Sequence, residues 1–159
     1  AKIGLFQRYH IGGCASCGYQ PTDTLAEVRR THNIVESLDA VIACIRQSQE
    51  VEAQLHIRPA EVAALQGEEQ VRLLDVRSPQ EWEAAHIWGA QLVTVALTLE
   101  ALDSWPKDTP VVLYSNHGRR SLDKASYFRA YGLTSVKSMD GGLTAWLAEV
   151  GPVVPLSLR

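Results

Sequence analysis

The sequence predicts an α/β protein, a central parallel sheet flanked by helices, with a small α-helical module ahead of it. Three observations lead there. Apolar residues between Leu25 and Ser48 recur at helical spacing. After Ile57, short apolar runs alternate with helical segments, the pattern of strands joined by crossover helices. The 159 residues, at 46% hydrophobic composition, supply one well-packed domain and a smaller appended unit, not three. The predicted boundaries are 1–50 for the helical module and 55–159 for the α/β domain.

In the module, Leu25, Val28, Ile34, Val35, Leu38, Val41, Ile42 and Ile45 form two apolar runs interrupted at His32 and Asn33, which predicts two short helices. Thr22, Asp23 or Thr24 can cap the first and Ser37 the second, because each offers an oxygen to unpaired first-turn amides. The polar stretch 48–54 reads as a linker. Residues 59–65 then predict a helix, and 71–76 a strand buried on both faces. Ser78 opens a helix through Glu83, with Pro79 where its missing N–H costs little. A strand is predicted at 91–95, a helical turn at 97–102 and a central strand at 110–114. Residues 119–131 continue as a helix stopped by Gly132, a residue suited to the left-handed cap. A strand at 135–138 and a helix at 142–150 close the chain, with no internal repeat or low-complexity segment.

A net charge of -3 gives no basic field for nucleic acid or anionic lipid, so a small molecule or a protein is the expected partner. Cys14, Cys17 and Cys44 are too few for a disulfide scaffold, and no signal peptide or membrane-length apolar run is visible. The expectation is a cytoplasmic protein with no membrane association.

The chemistry is concentrated in 111–121, a strand running into Ser115-Asn116-His117-Gly118-Arg119-Arg120 and then a helix. Such a loop gathers backbone N–H groups at a helix N-terminus, where amides, dipole and side chains together hold an anion. Gly118 permits the tight turn, Arg119 and Arg120 add positive charge, and Ser115 stands at the centre, where a nucleophile would be placed.

Ser115-Asn116-His117-Gly118-Arg119-Arg120-Ser121 resembles the active-site loop of the rhodanese family, in which Cys, two residues, Gly, one residue, Arg and Ser end the central strand. Leu73-Leu74-Asp75-Val76-Arg77, with Glu81, His86-Ile87 and Gly89-Ala90, resembles the family's first signature. Asp140-Gly141-Gly142 with Trp146 resembles the signature near its C-terminal end. The loop is the short form, one residue shorter than in the related phosphatases, which favours sulfur over phosphate. The resemblance implies a rhodanese-like fold and a two-step relay. A cysteine thiolate takes the outer sulfur of a donor such as thiosulfate as a persulfide and passes it to a thiol or cyanide. It implies that Arg120 plays the electrostatic role and that Asn116, His117, Gly118, Arg119 and Ser121 line the donor site, with no cofactor required. Arg119 either steers the anionic donor or is simply solvated. Asp75 and Arg77 are expected to form an ion pair supporting the strand end, His86 to hold a turn, and Trp88 and Trp146 to be core or rim aromatics.

Ser115 is the departure from that pattern. A serine hydroxyl is not ionised at neutral pH and forms no persulfide, so the chain as given is expected to be inactive. Two explanations stay open: a Cys→Ser replacement by design, or a natural non-catalytic regulatory or binding module. The otherwise working loop favours the first. Pairing Ser115 with His117 as a hydrolase would need a geometry that neighbouring loop positions rarely allow, and no orienting acid is evident.

Cys14 and Cys17 form a Cys-x-x-Cys that suits a redox dithiol, half of a zinc or iron-sulfur site, or two incidental cysteines. A zinc site would need two further ligands; His10 and His32 are available, but the downstream histidine-pair spacing of a zinc finger is missing. Phe6 to Ile11, this pair and Thr24-Leu25-Ala26-Glu27-Val28 resemble a small bacterial helical domain found beside redox and nitrosative-stress proteins. That resemblance implies sulfur exchange with the loop, or a metal cluster shared across a homodimer. Cys44, among Val41, Ile42 and Ile45, is expected to be a small buried hydrophobe.

Overall fold

A computed structural model of the chain describes residue 20 and residues 22–67 and 71–154. The chain divides into two compact units, Ala1–Gln54 and Leu55–Arg159. Cys14, Cys17 and His10 lie outside the described residues.

The first unit holds α1 (Leu25–Thr31) and α2 (Leu38–Ala53). Thr24 caps α1 in a reciprocal box with Glu27, and Ser37 caps α2 through the amide of Ala40. Asn33, at φ +51°, makes the break between them. Val28, Ile34 and Val41 are the buried contacts that hold the pair, flanked by Leu25 and Ile45. The stretch expected as a linker is helical instead: α2 runs on to Ala53, because Gln, Glu and Ala favour helix and no glycine or proline intervenes. Cys44 is half-buried rather than enclosed, since it sits beside the apolar stripe and not on it.

The second unit is built on five parallel strands in the order β1-β5-β4-β2-β3. These are β1 (His56–Ile57), β2 (Arg72–Asp75), β3 (Gln91–Leu92), β4 (Val111–Tyr114) and β5 (Val136–Met139). The helices are α3 (Pro59–Gly67), α4 (Pro79–Ala84), α5 (Val95–Asp103), α6 (Arg119–Ala130) and α7 (Gly142–Glu149). Successive strand residues feed opposite faces: Leu74, Val111, Leu113 and Val136 pack with Ala101, Ala125 and Phe128, while Leu73, Val112, Tyr114 and Met139 pack with Val62, Leu143 and Trp146. Both faces of the sheet are therefore covered, which is why β4 reads as a continuous apolar run and β2 carries adjacent apolar residues, Leu73 and Leu74, at its centre. The strand expected at 91–95 is only two residues long, because Thr94 turns outward to cap α5. A strand at β1 was not expected. All strands point the same way, so the turns after β2, β4 and β5 share one edge of the sheet. No helix among the described residues is long and apolar enough to cross a membrane.

Candidate active site

Central strand β4 ends at Tyr114, and Ser115, Asn116, His117 and Gly118 form the turn into α6. Gly118 has φ +87°, and a β-carbon there would lie 3.3 Å from Gly141 N and from Met139 O. Gly142 is tighter still. A β-carbon on it would lie 2.1 Å from Ser115 O. This close approach lets the N-terminus of α7 grip the loop: Leu143 N donates to Ser115 O at 2.8 Å and Thr144 N to Asn116 O at 3.1 Å, with Thr144 Oγ1 donating to the same carbonyl at 3.0 Å.

In a trans peptide the N–H points opposite to the C=O. With the carbonyls of Ser115 and Asn116 committed to α7, the amides of Asn116 and His117 turn to the other side of the loop. Those two amides, and the first-turn amides of Arg119 and Arg120, enter no hydrogen bond among the described residues. Unpaired donors at the positive end of a helix make a cradle for a small anion.

Ser115 sits at the bottom of that cradle, 1% exposed. Its Oγ accepts from Gly118 N at 3.1 Å and lies 3.4 Å from Ser121 Oγ. Ser121 donates to Gly118 O at 3.0 Å and receives a hydrogen bond of 2.9 Å from Ser138 on β5. A sulfur at this position would have the Gly118 amide as its immediate donor, with the Ser121 hydroxyl beside it. His117 is exposed and turned to Thr144, Nδ1 to Oγ1 3.2 Å, and among the described residues it makes no bond to Ser115. A Ser115–His117 catalytic pair is therefore not formed.

Two carboxylates brace the loop. Asp75, at the end of β2, pairs with Arg77 at 2.7 Å, both side chains buried at 0% and 4% exposure. Arg77 also donates to Ala85 O and, through Nη1, to Asn116 Oδ1 at 3.1 Å. The ion pair thus fastens the loop to the neighbouring strand. Glu81, which the sequence marks only as part of a motif, is the second brace. Its Oε1 accepts from Asn116 Nδ2 at 2.6 Å and Arg120 Nη2 at 2.8 Å, and its Oε2 from Arg120 Nη1 at 3.0 Å and Ser78 N at 2.8 Å. The Arg120 hydrogen bonds, helped by the Ser78 amide, hold the Glu81 carboxyl well below the usual carboxylate range. Arg120, expected as the electrostatic group of the anion site, is engaged by this carboxylate. Arg119 is exposed and has no hydrogen bond or ion pair among the described residues.

The remaining expected residues have structural settings. His86 stacks on Trp82, ring centroids 3.9 Å apart, and its Nδ1 lies 3.0 Å from Trp82 O. Trp146 is in the core and Trp88 is exposed. Tyr114 carries its hydroxyl to the amide of Ile87 at 3.2 Å, and burial, then the Asp75 charge, pushes its phenol far above the ordinary value. No grouping of three or more His, Cys, Asp or Glu fit to hold a metal occurs among the described residues. Thr144 and Ser138 were missed by sequence reasoning, since their roles depend on contacts with a loop more than fifteen residues away.

Residues 58–149 match the Rhodanese-like domain family. The chain is 36% identical over 93 residues to the thiosulfate sulfurtransferase GlpE of Pseudoalteromonas translucida, an alignment covering 58% of this chain and 89% of that one. The Rhodanese-like domain of the Anabaena sp. protein Alr3790 superposes with a TM-score of 0.58 at 25% identity, over 66% of this chain and 83% of that one. The human single-domain sulfurtransferase TSTD1 does so with a TM-score of 0.53 at 25% identity, over 60% of this chain and 96% of that one.

Proposed function

Because the chain belongs to the rhodanese-like domain family, we propose that it is a rhodanese-type sulfurtransferase whose reacting position, normally a cysteine, is occupied by Ser115. The observation that carries this reading is the buried Ser115 side chain accepting the Gly118 amide at the floor of a loop whose carbonyls are tied to α7.

With cysteine at 115, the Gly118 amide and the α6 dipole favour the thiolate over the thiol. The thiolate attacks the outer sulfur of thiosulfate. A Sγ–S bond forms, the S–S bond of the donor breaks, and its electron pair leaves with sulfite. The persulfide anion remaining on the loop is held by the same donors. A thiolate or cyanide then attacks the outer sulfur and the loop thiolate departs with its electron pair, which restores the starting state. No resident cofactor enters either step, and the setting is the reducing cytoplasm. Ser115 blocks the first step, because an alcohol with no general base beside it has neither the charge nor the chemistry to accept sulfur. We read it as a Cys→Ser replacement in a working site.

The test is thiocyanate production from thiosulfate and cyanide. The Ser115→Cys protein is expected to turn over and the Ser115 protein to give only the uncatalysed rate. Background rates from a folded Ser115→Cys protein would overturn the proposal.

A further inference from the structure

We propose that Arg119 is the residue that receives the oxyanion end of the sulfur donor, while Arg120 is a strut tied to Glu81 that holds the loop in shape. This rests on the sulfurtransferase reading and says which part of a small anionic donor, such as the sulfonate end of thiosulfate, is recognised and by what.

Three arginines surround the loop, and two carboxylates are spent on them. Arg77 is matched by Asp75 in the buried pair. Arg120 is matched by Glu81 in a two-pronged contact, Nη2 to Oε1 at 2.8 Å and Nη1 to Oε2 at 3.0 Å, the geometry in which a guanidinium and a carboxylate bind most strongly. Glu81 is itself fixed by Ser78 N and Asn116 Nδ2, so it cannot swing away without undoing the α4 cap and a contact to the loop. A donor that recruited Arg120 would break two charge-assisted hydrogen bonds and leave an uncompensated carboxylate facing its own negative charge. Arg119 carries no such obligation. It opens α6, is exposed, and has no partner among the described residues. His117 is committed to the Thr144 hydroxyl. The net cation seen by an arriving anion is therefore Arg119, added to the unpaired loop amides.

The arrangement separates two roles that adjacent arginines in a sequence do not distinguish. Neutralising Arg120 together with Glu81 removes a strut but leaves the net field at the loop unchanged. Neutralising Arg119 removes the field and leaves the strut.

Two measurements on the full chain decide it. In the Ser115 protein, thiosulfate binding is followed by titration calorimetry at low ionic strength. Arg119→Gln is expected to weaken it about tenfold, the loss of one charge-assisted contact, and to flatten its dependence on salt with Tm unchanged, whereas the paired change Glu81→Gln with Arg120→Gln keeps the net charge, so any binding lost with the strut should come with a lowered Tm and the parent's salt dependence. In the Ser115→Cys protein, Arg119→Gln is expected to raise KM for thiosulfate by a similar factor with kcat altered far less, and Arg119→Lys to recover part of it. The paired change should lower Tm, and whatever it does to KM should leave the salt dependence of KM as in the parent. The proposal is overturned if Arg119→Gln leaves binding and its salt dependence unchanged, or if the paired change flattens the salt dependence of binding as much as Arg119→Gln does. An inactive Ser115→Cys protein whose Ser115 form still binds thiosulfate through Arg119 would remove the sulfur-transfer reading and leave the anion role of Arg119 standing.

Discussion

Gly142→Ala should damage both the stability of the second unit and its hold on an anion. The methyl group would arrive 2.1 Å from Ser115 O, 2.8 Å from Asn116 C and 2.9 Å from Asn116 O, all backbone atoms that cannot rotate aside. The residue also sits at φ +58°, where an L side chain costs about 1–2 kcal/mol. To relieve the overlap the loop must move off the N-terminus of α7, which gives up the bonds from Leu143 N and Thr144 N at about 1 kcal/mol each. The total is about 3–4 kcal/mol, which for a unit of about a hundred residues lowers Tm by roughly 12 °C or more. Differential scanning calorimetry reads the transition, and thiosulfate titration reads the loop. Gly67→Ala is the control, since nothing lies within 4 Å of its added methyl, and it should leave both unchanged. A Gly142→Ala protein that melts within 2–3 °C of the parent, about the effect of a typical surface substitution, and binds thiosulfate normally would refute the reasoning that α7 clamps the loop.

Other outcomes follow from the two braces. Asp75→Asn removes the partner of a nearly inaccessible guanidinium and should cost about 3–5 kcal/mol in urea unfolding. Replacing both Asp75 and Arg77 by apolar residues of similar size should cost less than that single change. Glu81 has a folded pKa below its unfolded one, so its contribution to stability is complete above about pH 4.3 and is lost as the pH falls through the lowered value. The stability gap between parent and Glu81→Gln should therefore be level from neutral pH to about pH 5 and shrink below about pH 4.3 in urea melts across that range. A gap that widened on acidification would contradict the Arg120 pairing. Ser138→Ala removes the donor to Ser121 and should cost about 1–2 kcal/mol with little change in fold.

Much of this architecture is legible in the residues because burial on both faces writes β4 as an unbroken apolar run and puts Leu73 and Leu74 side by side in β2. Ser78 with Pro79 and Glu81 announces the start of α4 by capping chemistry alone. Strand β1 was not legible, because two residues carry no period and its pairing is set by β5, more than eighty positions away. The extra turns of α2 were missed because a polar surface helix and a polar linker have similar composition. At the site, the loop and Asp75 with Arg77 were marked by motif and proximity. The second job of Glu81 was hidden: the capping box with Ser78 already accounts for a glutamate at that spacing, while Arg120 lies thirty-nine residues on. No local pattern reveals which of two consecutive arginines a distant carboxylate will take.

Intact-protein mass spectrometry after incubation with thiosulfate reaches the central claim with least intervening inference. The Ser115→Cys protein should gain one sulfur atom, released by cyanide and mapped by peptide analysis to position 115 rather than to Cys14, Cys17 or Cys44, while the Ser115 protein gains none there. A folded Ser115→Cys protein that takes up no sulfur at that position would contradict the account.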